Sequence, residues 1–172
     1  MKSILIIGMG NPFMSDEGVG IRVIDRLRAG PLPEGVEVLD MGTSGLAVLH
    51  EIRGRDKVVF VDCALMGAPP GTIRRFTPDE VTTQKTQQRV SLHECDLLHT
   101  IALAQRLGTC SGEVVIFGIE PRAVELGEGL SSELAERLDA YAREVRAEVD
   151  GAHHPPACPT RSVEKASVFT TE

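Results

Sequence analysis

The chain opens Ile4-Leu5-Ile6-Ile7-Gly8-Met9-Gly10-Asn11-Pro12-Phe13-Met14-Ser15-Asp16-Glu17-Gly18-Val19-Gly20. Ile4 to Ile7 is an unbroken apolar run stopped by Gly8, which reads as a strand buried on both faces. A loop comes next. A helix begins near Gly18, with Val19, Val23, Ile24 and Leu27 on one stripe at helical spacing. Gly30, Pro31 and Pro33 end it. A buried strand that feeds a helix through a loop is the first half of a β-α-β unit, and it predicts a second strand parallel to the first.

The pattern repeats downstream. Val36 to Leu39 reads as a second strand, with Asp40 just past it. Thr43 or Ser44 can cap a second helix, with Leu46, Leu49 and Ile52 facing inward. Val58 to Val61 is a third apolar strand, and Asp62 ends it. Ala68-Pro69-Pro70-Gly71 is a turn. Thr72 to Phe76 carries Arg74 and Arg75, which suits an edge strand. Residues 77–90 are polar and read as a long loop with one helical turn after Pro78; loops of that length are uncommon unless functional. Ser91-Leu92-His93-Glu94 has capping-box spacing and opens a helix to Leu107, with Gly108 as its stop. Val114 to Phe117 is a fifth strand. Ser131 is expected to cap a last helix whose apolar face is Leu134, Leu138, Tyr141, Val145 and Val149. Strands alternating with helices imply an α/β fold, a mostly parallel sheet with helices on both faces. Residues 1–150 form the domain, and 151–172 are expected to be a flexible tail.

Composition narrows the function. The 172 residues carry a formal net charge of −7, with no Trp and one Tyr, so the core is aliphatic. No Lys/Arg run supplies the basic footprint that a nucleic-acid partner needs. No apolar stretch approaches the roughly 20 residues of a membrane span. The first residues lack the pattern of a signal peptide, so a cytoplasmic location is expected. Cys63, Cys95, Cys110 and Cys158 form no C-x-x-C pair and are expected to be reduced thiols. The acidic surface is compatible with a monomer.

In parallel α/β sheets, ligands bind beyond the carboxyl ends of the strands. That rule selects loops 8–17, 40–45 and 62–70. Gly8-Met9-Gly10 fails the dinucleotide fingerprint G-x-G-x-x-G, because Phe13 stands where the third glycine belongs. Asp16 and Glu17 have a structural reading, as a helix cap and a complement to the helix dipole. They also have a functional one, as acids leaving the carboxyl end of strand one. Asp62 ends a buried strand, so its carboxylate must be liganded, paired or bonded to backbone amides. His93 is an ordinary first-turn histidine unless the long loop before it delivers it to a site. One histidine with two carboxylates suits zinc or nickel better than calcium or magnesium. The thermolysin signature H-E-x-x-H is absent, and Cys95 reads as a small apolar residue on its helix. Glu17, Asp62 and His93 fall at one edge of the sheet, where a single metal ion could take all three.

Several ordered pieces then combine: Ile7-Gly8-Met9-Gly10-Asn11-Pro12 with Ser15-Asp16-Glu17-Gly18-Val19-Gly20, Asp40-Met41-Gly42-Thr43-Ser44-Gly45, Val61-Asp62, Ser91-Leu92-His93, and Phe117-Gly118-Ile119-Glu120-Pro121 with Gly129-Leu130-Ser131. Over roughly residues 3–149 the chain resembles the maturation endopeptidases of nickel–iron hydrogenases. The resemblance implies a three-layer sandwich around a five-stranded twisted sheet. It implies that Glu17, Asp62 and His93 bind the metal and that Asp40 matches the family's acid near the site, a candidate catalytic base. It implies an enzyme that removes a C-terminal extension from a hydrogenase large-subunit precursor after nickel insertion. Nickel is then recognised in the substrate, with zinc or cadmium able to substitute in vitro. The cleavage chemistry stays open, because no G-x-S-x-G elbow is present; metal-assisted hydrolysis is one route. One rival reading is a metal-sensing binding module that docks on the precursor without cutting. Another is a peptidyl-tRNA hydrolase, which shares the opening Gly-Met-Gly-Asn-Pro, but residues 13–22 lack its Tyr and His and the chain lacks a basic face.

Overall fold

The computed structural model describes residues 2–84, 92–109 and 112–151, with the side chains of residue 46 and of 82–84 and 92–96 outside the description. Its strands are β1 (Ile4–Met9), β2 (Val36–Gly42), β3 (Lys57–Cys63), β4 (Ile73–Phe76) and β5 (Glu113–Ile119). They form one sheet in the order β2-β1-β3-β5-β4. All neighbours are parallel except β4, which runs antiparallel to β5 at the edge. The helices are α1 (Val19–Arg28), α2 (Gly45–Glu51), α3 (Pro78–Gln84), α4 (Leu92–Arg106), α5 (Ser132–Ala135) and α6 (Leu138–Val149).

The core has two sides because strand side chains alternate. Ile4, Ile6, Val59, Val61, Val115 and Phe117 pack with Val19, Val23, Ile24, Tyr141 and Val145 of α1 and α6. Leu5, Ile7, Val58, Phe60, Val114 and Ile116 pack with Val48 of α2, Ile52 just past it, and Leu97, Ile101 and Ala104 of α4. Strands covered on both faces cannot alternate apolar with polar, which is why these runs read as continuously apolar in the sequence.

Two local expectations change. The helical turn expected after Pro78 is a longer helix, α3, and residues 85–90 of the expected loop lie outside the described residues. Thr77-Pro78-Asp79-Glu80 is itself a start signal: the Thr77 N–H donates to Glu80 Oε2 at 2.7 Å and the Thr77 hydroxyl to the same oxygen at 3.1 Å. That is the carboxylate half of a capping box, with proline at the first helical position. The Ser91/Glu94 box, by contrast, lies outside the described residues. The last helix is two pieces, α5 and α6, and Ser131 precedes the first without a side-chain cap bond. The segment expected to be a tail lies outside the described residues beyond Gly151.

At the amino end of the sheet, Glu148 is 3% exposed and ion-paired to Lys57 at 2.6 Å and Arg75 at 2.8 Å. Burial pushes its carboxyl up, but the hydrogen bonds and charges of Arg75 and Lys57 outweigh it and hold the group below its usual 4.5. A carboxylate lowered in the folded state stabilises above its unfolded pKa and stops doing so as pH falls through the folded value. The wild type is therefore expected to lose melting temperature on acidification below about pH 4.5. Glu148→Gln is expected to cost about 2 kcal/mol or more at neutral pH and to flatten that acid limb. Melts by circular dichroism from neutral to acid pH check both.

Candidate functional site

The chain leaves β1 for β2 on one side and later returns to β3 on the other, so the topology switches between β1 and β3. Loops diverge at such a point and leave a crevice at the carboxyl ends of the strands. Glycines close that crevice tightly. Gly10 has φ +124°, and a Cβ there would overlap the Glu17 carbonyl. A Cβ on Gly20 would overlap the carbonyl oxygens of both Met9 and Val61. The glycines that suggest a nucleotide loop thus serve a steric purpose. They let the turn before α1 sit on the ends of β1 and β3.

That turn is a 3-10 helix, Ser15–Gly18, and it carries both acids. Asp16 is fully buried. Its Oδ1 accepts the Ser131 N–H at 2.7 Å, and its Oδ2 accepts Arg122 N–H at 2.9 Å, Ala123 N–H at 3.2 Å and the Ser131 hydroxyl at 2.9 Å. Asp16 is therefore no helix cap. It fastens the loop after β1 to the loop after β5. The backbone adds three bonds: Asp16 N–H to Ala123 O, Ser15 N–H to Gly127 O, and Gly127 N–H to Phe13 O. Ser15 is held at φ +50°, a cost that the surrounding bonds offset.

Glu17, next in sequence, is only partly buried, and its turn packs against β3. Asp62 ends β3 at 3% exposure, with Oδ1 accepting the Cys63 N–H at 2.8 Å. Glu17 thus stands on a turn packed against the strand that holds Asp62. Glu120 shapes the far wall of the crevice: buried at the end of β5, it accepts the Met66 N–H at 2.6 Å and the Ala68 N–H at 3.2 Å, holding the loop after β3.

Asp40 is exposed, near the end of β2, and its Oδ1 accepts the Gly42 N–H at 2.9 Å. It pairs in register with Gly8, which pairs with Val61 on the other side. Two strand spacings put it about 10 Å from the Asp62 end of β3, beyond a shared ion but within reach through water. His93 lies in the first turn of α4, whose side chains pack on the Phe60 face of the sheet. Asp62 alternates onto the same face as Phe60. Because α4 leads into the parallel strand β5, its amino end lies at the carboxyl edge of the sheet. The His93 side chain is outside the described residues, as is that of Cys95. Among the described residues no group of three His, Cys, Asp or Glu side chains is arranged to hold an ion. No helix among them is long and apolar enough to cross a membrane. Cys63, the last residue of β3, is buried.

Sequence reasoning missed the clamp. Its partners lie 106–115 positions from Asp16, and nothing in Ser15-Asp16-Glu17 tells which acid turns inward. The run Gly129-Leu130-Ser131 was the available signal.

The family model described as hydrogenase maturation protease matches residues 21–148. The chain is 33% identical over 137 residues to the hydrogenase expression/formation protein HupD of Thiocapsa roseopersicina, an alignment covering 78% of this chain and 62% of that one. It is 32% identical over 148 residues to HupD of Rhodobacter capsulatus, covering 84% and 70%. Its fold is similar to that of the hydrogenase maturating endopeptidase HybD from Escherichia coli, with a TM-score of 0.79, 26% identity, and coverage of 88% of this chain and 94% of that one. The chain thus spans 62% of the length of the first relative and nearly all of the bacterial endopeptidase. With the family model matching most of the chain and these relatives covering more than two thirds of it, the chain belongs to the hydrogenase maturation protease family.

Proposed function

We propose that this chain is an endopeptidase that removes the C-terminal extension of a nickel–iron hydrogenase large-subunit precursor once nickel has been inserted. What supports the reading is the packing of the Ser15–Gly18 turn, which carries Glu17, against β3, which carries Asp62 next to its carboxyl end. Two carboxylates and a histidine, His93, are a donor set that suits nickel, with zinc or cadmium as substitutes. The nickel belongs to the substrate: the three side chains grip an ion already seated in the precursor, so an unloaded precursor is passed over. Hydrolysis adds water to the scissile carbonyl, breaks the C–N bond and releases the amine with a proton. Asp40, exposed to water at the neighbouring strand end, takes the proton from the attacking water. The enzyme works as a cytoplasmic monomer on this one class of partner.

The test is the mass of a large-subunit precursor after incubation with the protein, loaded with nickel or free of it. Loss of a C-terminal peptide from the loaded sample alone is the expected result. Unchanged mass in both, with the protein retained on the loaded precursor, would overturn cleavage in favour of a metal-sensing module that docks without cutting.

A further inference from the structure

Six large apolar side chains are exposed among the described residues, and four of them stand on the loops at the carboxyl edge of the sheet: Phe13, Leu65, Val124 and Leu126. The other two, Leu103 and Leu107, lie toward the carboxyl end of α4. Phe13 is 60% exposed and Leu126 is 86% exposed. Neither sits on a loose segment. The Gly127 N–H donates to the Phe13 carbonyl at 2.9 Å, which sets Leu126 beside Phe13, and Met14 bridges Gly127 in parallel fashion. The buried Asp16, two residues past Met14, bonds the same loop at Arg122, Ala123 and Ser131. Apolar side chains held outward by a fixed frame lose little further conformational freedom on contact, which is what a docking surface needs.

The same loop sets Glu125 and Glu128 among these side chains, both exposed. Exposed carboxylates interleaved with apolar residues fit a partner segment that carries apolar and basic side chains. The frame runs without a break from Phe13 through Ser15 to Glu17.

We infer that Phe13, Val124 and Leu126, with Leu65 across the crevice, form the surface on which the precursor polypeptide docks beside its metal, and that Glu125 and Glu128 select basic side chains there. This inference rests on the proposed recognition of a precursor and names where its polypeptide is held. These side chains position the substrate and take no part in bond cleavage.

Phe13→Ser with Leu126→Ser is the direct test, assayed with nickel-loaded precursor beside the wild type. A Leu103→Ser control on α4 removes an exposed apolar residue elsewhere. All three are surface changes, so equal melting curves establish intact folds. KM is expected to rise about tenfold or more in the double variant with kcat nearly constant, and to stay unchanged in the control. Glu125→Lys with Glu128→Lys is expected to raise KM and to weaken its dependence on salt. An unchanged KM in the double serine variant would overturn the inference while leaving cleavage standing. If the wild type cuts nothing, retention on the loaded precursor is the readout. Loss of retention in the serine variant then supports the docking surface although cleavage has failed. Equal retention of variant and wild type, or no retention of either, overturns it.

Discussion

A Glu17→Gln protein is expected to melt with the wild type and to process nickel-loaded precursor at least about a hundredfold more slowly. The turn that holds Glu17 owes its shape to Gly10, Gly20 and the Asp16 bonds, none of which uses the Glu17 carboxylate. The substitution keeps the size of the side chain and removes its negative charge. An amide is a poor ligand for a borderline cation, so recognition of the loaded precursor should fail with no change in fold. Asp62→Asn is expected to act in the same direction, with some loss of stability added, because Asp62 is buried and accepts the Cys63 N–H. Precursor mass over time, with a melting curve for each variant, is the measurement. Processing of loaded precursor by Glu17→Gln at the wild-type rate would remove Glu17 from the metal-binding set.

The neighbouring substitution is expected to do the opposite. Asp16→Asn should lower stability by about 2–4 kcal/mol and the melting temperature by about 5–15 °C. An amide has one oxygen where the carboxylate has two. One orientation turns its NH2 toward the Ser131 N–H, and the other toward the N–H groups of Arg122 and Ala123. Either way a buried backbone donor loses its acceptor and keeps its desolvation cost. The fold around the 121–131 loop should loosen first, which hydrogen exchange of the Arg122, Ala123 and Ser131 amides would report. Wild-type melting and wild-type protection in Asp16→Asn would show that the clamp is not what holds this loop.

These two adjacent acids also mark how far local sequence patterns reach. The strands were legible because a sheet covered on both faces demands long apolar runs, as in Val58 to Val61. The place of Asp62 was legible for the same reason, since an acid that ends such a run must be liganded, paired or bonded to backbone amides, as it is to the Cys63 N–H. Only one turn of the helix over Pro78–Gln84 was read, because its polar sequence carries too little periodicity to mark its length. The division of labour between Asp16 and Glu17 was not, because it depends on amides more than 100 positions away. Asp40 could be placed at a strand end, but its separation from Asp62 comes from strand order, which no local pattern encodes.

The Asp16 clamp has a bearing on how substrate choice is inherited. It joins residue 16 to residues 122–131, so the loop after β1 and the loop after β5 form one mechanical piece although they are encoded far apart. A chimera that exchanges only one of them with a homologue inherits a carboxylate cut to fit another loop's amides. Specificity in this scaffold therefore transfers by grafting both loops together, with β1 and β5 as the fixed hinges of the exchange.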